Sequence, residues 1–332
     1  MKTLSDIIDL ASAYYGSSVL FAATERDVFT AVEEAGGEAT AERIAGGRSL
    51  DARATRLLLD ACVAIGLLEK SGEVYRNTPA GRLALVAGSP QDLRGAIAYN
   101  RDVYPAWGRL SEFLRTGAPV ESPAIHLGDD AARTRAFALA MHGRALGIGR
   151  SVIPFLDLSG RSHLLDLAGG PGTYARLMAE ANPQLTIDTY DLPAIAEVAR
   201  ELIAPTAVAD RVHCHAGDYH THAYPASHYD AVTIFGALHQ ESPDDIVAIL
   251  RRAAAALRPG GRIYVLDMMT DATHASPPFS ALFAVNMALT AHNGWVFSDS
   301  ELYGWLGQAG FCDCATRPLP PPMPHWLVTA SK

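Results

Sequence analysis

Cysteine is scarce: Cys62, Cys214, Cys312 and Cys314 are spread over 332 residues with no C-x-x-C pair. That excludes a disulfide-built scaffold and points to a reducing compartment. Basic residues are also outnumbered, 27 Lys or Arg against 36 Asp or Glu, for a formal charge of -9. A field of that sign repels phosphate backbones and anionic lipid, so neither nucleic acid nor a membrane surface is an expected partner. There is no run of 18 apolar residues to span a bilayer. The opening segment MKTLSDIIDL interrupts its apolar stretch with acids and lacks the core of a secretion signal. Together these absences make the cytoplasm the expected location.

What is present is enough apolar material for a folded core, with 49% hydrophobic and 19% charged residues. The length exceeds one typical domain, and the patterning changes near residue 155. Up to about 150 it is helical, with Leu and Ile at three- and four-residue spacing. The segment 49–68 reads as an amphipathic helix capped by Ser49, burying Leu57, Leu58, Cys62 and Ile65 and ending at Gly66. A hairpin turning at Ser71–Gly72 follows, and helices before such a hairpin make a winged helix. Between residues 1 and 100, ten Lys or Arg face thirteen Asp or Glu, so no basic recognition face is expected, and dimerisation or covering of a substrate is the better role.

Beyond residue 160, short apolar runs alternate with helical stretches, the pattern of an α/β domain. Strands are expected at 163–168, 185–191, 211–218, 229–238 and 261–269, the central ones buried on both faces. The segments FCDCATRPLP and HWLVTASK are expected to form a terminal antiparallel pair, joined by an extended proline-rich loop over 318–324.

The most informative string is DLAGGPGTYARLMAE, which starts at Asp166 at a strand end and runs into a helix. Gly169, Gly170 and Gly172 leave room for a ligand to approach the backbone, and the helix start offers unpaired N–H groups. Such a loop suits a nucleotide-like ligand, although a tight turn alone can demand the same glycines. Asp191 and Asp218 are placed at the ends of the next two strands, where open parallel sheets bind ligands. Asp191 has two acceptor oxygens for two ribose hydroxyls. Asp218 is suited to an exocyclic adenine amine, and Tyr219 to stacking on the purine. The loop reads G-G-x-G rather than the dinucleotide fingerprint G-x-G-x-x-G, and Asp166 close before it disfavours pyrophosphate. Both features point to a cationic cofactor, S-adenosylmethionine, rather than NAD.

With these motifs in order, the chain resembles the class I S-adenosylmethionine-dependent small-molecule O-methyltransferases, the group of the caffeate and acetylserotonin enzymes. DLAGGPG resembles the family's glycine motif, YDLP (190–193) its ribose motif, AGDYH (216–220) its adenine-side motif and ALRPGGRIYVLD (256–267) the lead-in to its fifth strand. The resemblance implies an α/β fold: a Rossmann-like, doubly wound methyltransferase sheet preceded by an N-terminal helical winged-helix dimerisation domain, hence a homodimer. It divides the chain into 1–100 for that domain, 101–155 for a helical connector lining the substrate pocket and 156–332 for the cofactor-binding domain. It adds Leu192 and Phe235 to the cofactor contacts. Over the acceptor it places Tyr104, Trp107, Phe137, Met141, His142, Met268, Phe283, Asn286, Met287 and Trp295, a set suited to a flat, apolar phenolic or polyketide-like molecule.

A hydroxyl acceptor requires a group to take its proton, because a phenol is mostly neutral near pH 7. His239, at the end of the fourth strand, matches the family's catalytic histidine. Gln240 and Glu241 follow it where the family has Asp-Trp, and the two positions of the family's flanking glutamates hold Asp267 and Val296. Asp267 is expected to orient the imidazole, and Val296 is not. The altered flanks leave open a diverged member that binds the cofactor but decarboxylates, hydroxylates or assists a pericyclic reaction. A noncatalytic winged-helix binding protein is the remaining alternative. His213, His215, His220 and His222 bracket Asp218 without a matching second cluster, so no metal is assigned to them.

Overall fold

The computed structural model describes residues 2–122, 128, 130–321 and 323–332, and its backbone separates into two compact units, 1–102 and 103–332. The first holds α1 (Leu4–Ser12), α2 (Tyr14–Glu25), α3 (Val28–Glu34), α4 (Ala41–Arg48), α5 (Ala52–Ala64) and α6 (Pro79–Ala84). Its strands β1 (Ala39–Thr40), β2 (Leu68–Ser71) and β3 (Val74–Asn77) form an antiparallel sheet in the order β1-β3-β2. Phe29, Leu59, Cys62, Leu68 and Tyr75 are buried in its core.

Two local expectations are corrected here. The helix expected over 49–68 begins at Ala52, because Asp51 accepts the Ala54 amide at 2.7 Å and acts as its cap. Ser49 instead adopts a left-handed conformation that closes the preceding helix. The buried stripe is Thr55, Leu59 and Cys62, spaced i, i+4, i+7, whereas Leu57 and Ile65 are 52% and 44% exposed. The hairpin turns one residue later than expected, over Gly72–Glu73, since Ser71 pairs with Val74.

The helix α7 (Arg94–Trp107) runs into the second unit, where α8 (Leu110–Thr116) and α9 (Ala131–Val152) follow. Parallel strands then alternate with helices: β4 (His163–Leu167), α10 (Thr173–Ala181), β5 (Thr186–Asp191), α11 (Pro193–Ile203), β6 (Val212–Ala216), β7 (Tyr229–Phe235), α12 (Pro243–Ala256) and β8 (Leu257–Asp267). The chain ends with α13 (Pro278–Thr290), α14 (Asp299–Gln308), β9 (Cys312–Pro318) and β10 (Trp326–Ser331). The strand order is β6-β5-β4-β7-β8-β10-β9, with β10 antiparallel to both neighbours. The terminal pair is thus present, and its second strand wedges between β8 and the edge strand carrying Cys312 and Cys314. Of the proline-rich connection, Pro322 lies outside the described residues.

Alternation along the strands divides the core in two. Leu165, Leu167, Val232, Ile234, Ile263 and Val265 face one layer with Ile246, Leu250 and Leu302. Leu164, Ala231, Tyr264 and Leu266 face the other with Ile148, Met178 and Ile203. Both faces being covered explains the uninterrupted apolar runs. The strand order reverses between β4 and β7, and the crevice of an open sheet lies at such a point.

Candidate active site

The register of the parallel strands builds the floor of the crevice. Asp166 on β4 stands opposite Thr189 on β5 and Thr233 on β7. Its carboxylate, 1% exposed, accepts the Thr233 hydroxyl at 2.6 Å and the Thr189 hydroxyl at 3.1 Å. Burial pushes this carboxyl up to about 6 against the pull of the two hydroxyls. The glycine loop lies directly over it. A Cβ on Gly169 would meet Thr189 Oγ1 at 1.9 Å and Asp166 Oδ2 at 2.4 Å, so no side chain fits. Gly170 differs: it has φ +58 and open space where a Cβ would point. The loop is therefore packed against the sheet on one side and clear on the other, the shape required for backbone contact with a ligand.

Asp191 closes the second side. One oxygen accepts the Gly170 amide at 2.8 Å and the other the Leu192 amide at 2.7 Å. Burial raises this carboxyl to about 6 as well, partly countered by those two amides. Asp218 sits beyond the end of β6, which stops at Ala216, earlier than expected from sequence. It accepts the His220 amide at 2.8 Å in a local turn. Tyr219, beside it, donates its phenol proton to Glu241 at 2.6 Å. Burial first and the Glu241 charge second raise the Tyr219 hydroxyl well above its ordinary value, so it stays a donor. Phe235 ends β7 and meets Tyr174 of α10 edge to face, ring centres 5.1 Å apart.

His239 lies in a short 3-10 turn after β7 and is buried. Its Nδ1 is 2.6 Å from Asp267 Oδ1, at the end of the neighbouring strand. A carboxylate only accepts, so Nδ1 is the donor of this bond. Asp267 is held in turn by the Met268 amide at 2.8 Å, while its second oxygen is buried with no hydrogen-bond partner among the described residues. Phe283 stands edge-on to the imidazole at 5.3 Å. Val296 is buried and makes no polar contribution.

The remaining sequence-predicted residues fall into groups. The Trp107 indole donates to Asn286 at 2.9 Å, with Met268 and Met287 buried. Trp295 donates its indole proton to the Glu241 carbonyl at 2.8 Å and its amide to the His239 carbonyl at 2.9 Å. His142 does not join the Asp267 end: its Nδ1 is 2.7 Å from the Thr173 hydroxyl at the start of α10, beside the glycine loop. Phe137 packs against Ala138, Ile195 and Val198. Tyr104 is 38% exposed and Met141 half-buried. The sequence reading missed Thr189 and Thr233, whose role depends on register. It also missed His325, a buried imidazole pushed down to about 4 by burial and by the Arg144 charge, and subject to the charges of Asp267 and His239.

Comparison with known proteins decides what this architecture belongs to. Residues 120–312 match the model of the O-methyltransferase domain. The chain belongs to the O-methyltransferase family. Residues 8–87 match the family's dimerisation domain, so the first unit is that domain. The chain is 34% identical to the tetracenomycin polyketide synthesis 8-O-methyl transferase TcmO of Streptomyces glaucescens, over 94% of this chain and 92% of that protein. It is 32% identical to the acetylserotonin O-methyltransferase of Mus musculus, over 92% and 83% of the two. The human N-acetylserotonin methyltransferase, solved in complex with SAM, superposes with a TM-score of 0.89 at 26% identity, covering 100% of this chain and 98% of that one. The methyltransferase reading, the S-adenosylmethionine cofactor and the Rossmann-like sheet expected from the motifs are those of the family. Among the described residues, no helix is long and apolar enough to cross a membrane.

Proposed function

We propose that this O-methyltransferase methylates a hydroxyl of an aromatic or polyketide-like small molecule, with His239 as general base and Asp267 as its orienting partner. The observation that carries the reading is the 2.6 Å bond between His239 Nδ1 and Asp267. On this reading Nδ1 donates to the carboxylate, Nε2 takes the acceptor's proton, and Asp267 stabilises the resulting imidazolium. When bound, S-adenosylmethionine supplies a methyl group already activated on a sulfonium. What is left to the chain is to hold the cofactor, position the acceptor and remove a proton.

The cofactor contacts are proposed at Gly169, Gly170, Gly172, Asp191, Leu192, Asp218, Tyr219 and Phe235. Asp166 acts beneath them: both its oxygens are engaged by threonines, so it holds the loop and adds negative field rather than touching the ligand. The acceptor is proposed to lie among Trp107, Asn286, Met287, Met268 and Phe283. The name of TcmO, a polyketide-modifying enzyme, and this apolar lining favour a flat polycyclic or phenolic molecule. The chain is proposed to work as a homodimer, since its dimerisation domain leaves Ile8 and Leu10 69% and 64% exposed, beside Leu4 at 82%. Its four thiols are free, which supports a reducing, cytoplasmic setting.

Replacement of His239 by Ala tests the base directly. With a panel of phenols and S-adenosylmethionine, turnover should fall about a thousandfold while affinity for S-adenosylhomocysteine stays within about threefold. Unchanged turnover would remove His239 from the mechanism.

A further inference from the structure

Glu241 occupies the position where the family's histidine motif continues with a tryptophan, and the structure gives its carboxylate a definite task. It is 8% exposed. One oxygen accepts the Tyr219 hydroxyl at 2.6 Å, and the other lies 3.3 Å from His220 Nε2. The backbone of the same residue is held too: its carbonyl accepts the Trp295 indole at 2.8 Å, and the Trp295 amide donates to the His239 carbonyl at 2.9 Å. Tyr219 and His220 form the exit loop of β6, whereas His239 to Glu241 form the exit loop of β7. These strands are separated in the sheet by β5 and β4. One buried side chain therefore bridges two loops that the sheet itself does not join.

We propose that Glu241 is a positioning residue for the cofactor: by accepting the Tyr219 hydroxyl it fixes the angle of that ring and ties the adenine-side loop to the loop of the general base. A hydrogen bond to a buried carboxylate is short and directional, so it removes the rotational freedom that an unanchored tyrosine would lose only on binding a purine. His220, Asp218 and Asp191 are the other ionisable groups near Tyr219, and Asp218 is turned toward its own loop by the His220 amide. The proposal rests on the reading that the Asp218–Tyr219 loop faces the adenine.

The test is calorimetric titration of S-adenosylhomocysteine into the full-length protein and its Tyr219→Phe, Glu241→Ala, Glu241→Gln and double Tyr219→Phe/Glu241→Ala variants. Tyr219→Phe keeps the ring and loses only the bond, so it remains informative if Glu241→Ala folds poorly. Each of these two should weaken binding about tenfold, and the double variant no more than either alone. Glu241→Gln, whose amide oxygen still accepts the phenol proton, should stay within about threefold of wild type. In turnover assays the loss should appear in the KM for S-adenosylmethionine, with the acceptor KM unchanged. Wild-type binding by Tyr219→Phe, or additive losses in the double variant, would overturn the proposal. Asp191→Ala separates the two levels of reading. If it weakens binding while Tyr219→Phe does not, the bridge alone fails. If it too has no effect, the placement of the cofactor crevice fails.

Discussion

The two halves of the crevice solve their polar bookkeeping in opposite ways. On the β4–β5 side every carboxylate oxygen is satisfied from within: Asp166 by two threonines, Asp191 by two backbone amides. On the β7–β8 side, groups are left over. Among the described residues, Asp267 Oδ2 and His325 Nδ1 are buried without hydrogen-bond partners. A preformed cradle suits a cofactor that is always the same molecule. A set of unspent donors and acceptors suits the end where the reaction is proposed, since the acceptors named for relatives differ. On the proposed reading, the satisfied acids belong to the cofactor side of the crevice and the unsatisfied groups to the acceptor side.

That contrast can be broken by substitutions that should act on one half only. Asp267→Asn should lower kcat about a hundredfold, because an amide no longer stabilises the imidazolium, with cofactor affinity nearly unchanged. Asp191→Ala should do the reverse, raising the Kd for S-adenosylhomocysteine while leaving kcat at saturating cofactor within a few-fold. Steady-state kinetics and calorimetry on the same preparations would show whether the effects cross. Gly169→Ala sharpens the comparison within the cradle: the added carbon collides with Thr189 and Asp166, and cofactor binding should fall by several tens of fold even if the protein folds.

A pH series probes the same acids with a smaller expected effect. Asp166 and Asp191 have carboxyls raised to about 6 by burial. Each holds its proton more tightly in the folded chain than in the unfolded one. Their contribution to the stability of the free protein is thus complete below the ordinary carboxylate range and is lost as pH rises through about 6. A cationic ligand favours the ionised forms, so its affinity should run the other way. Binding of S-adenosylmethionine should strengthen about tenfold between pH 5 and pH 7 and then level off. A flat profile from calorimetry would mean that the field of these acids does not reach the ligand. The smallest effect is expected from Thr189→Val, which removes one hydroxyl from Asp166 and should cost about 1 kcal/mol in thermal or denaturant unfolding.

Much of the cradle was legible because its parts are contiguous. Asp166, the glycines and the start of α10 fall within one stretch of chain, and a strand end, a tight turn and a helix start each have their own residue chemistry. The helix at 49–68 shows where local reading fails. Ser49 and Asp51 are both good caps, and only the packed position of the preceding helix made one the end of α4 and the other the start of α5. The histidine pattern HCHAGDYHTH likewise carries no sign that His215 pairs with Asp188 at 2.9 Å and stacks on Tyr190. The Asp267 end was legible mainly through resemblance to a family, since His239 and Asp267 are 28 residues apart and the residues around them come from separate helices and loops.

Composition and order alone determined that this chain folds into a helical part followed by an α/β part, that its field is negative, and that a glycine turn runs from a strand end into a helix. Those properties depend on local propensity and on charge, which are additive along a chain. Tertiary structure decided the rest: that Thr189 and Thr233 meet at Asp166, that Asp267 comes within 2.6 Å of His239, and that Glu241 reaches Tyr219. Each of these depends on strand register and loop approach, distances set only when the two faces of the sheet have packed.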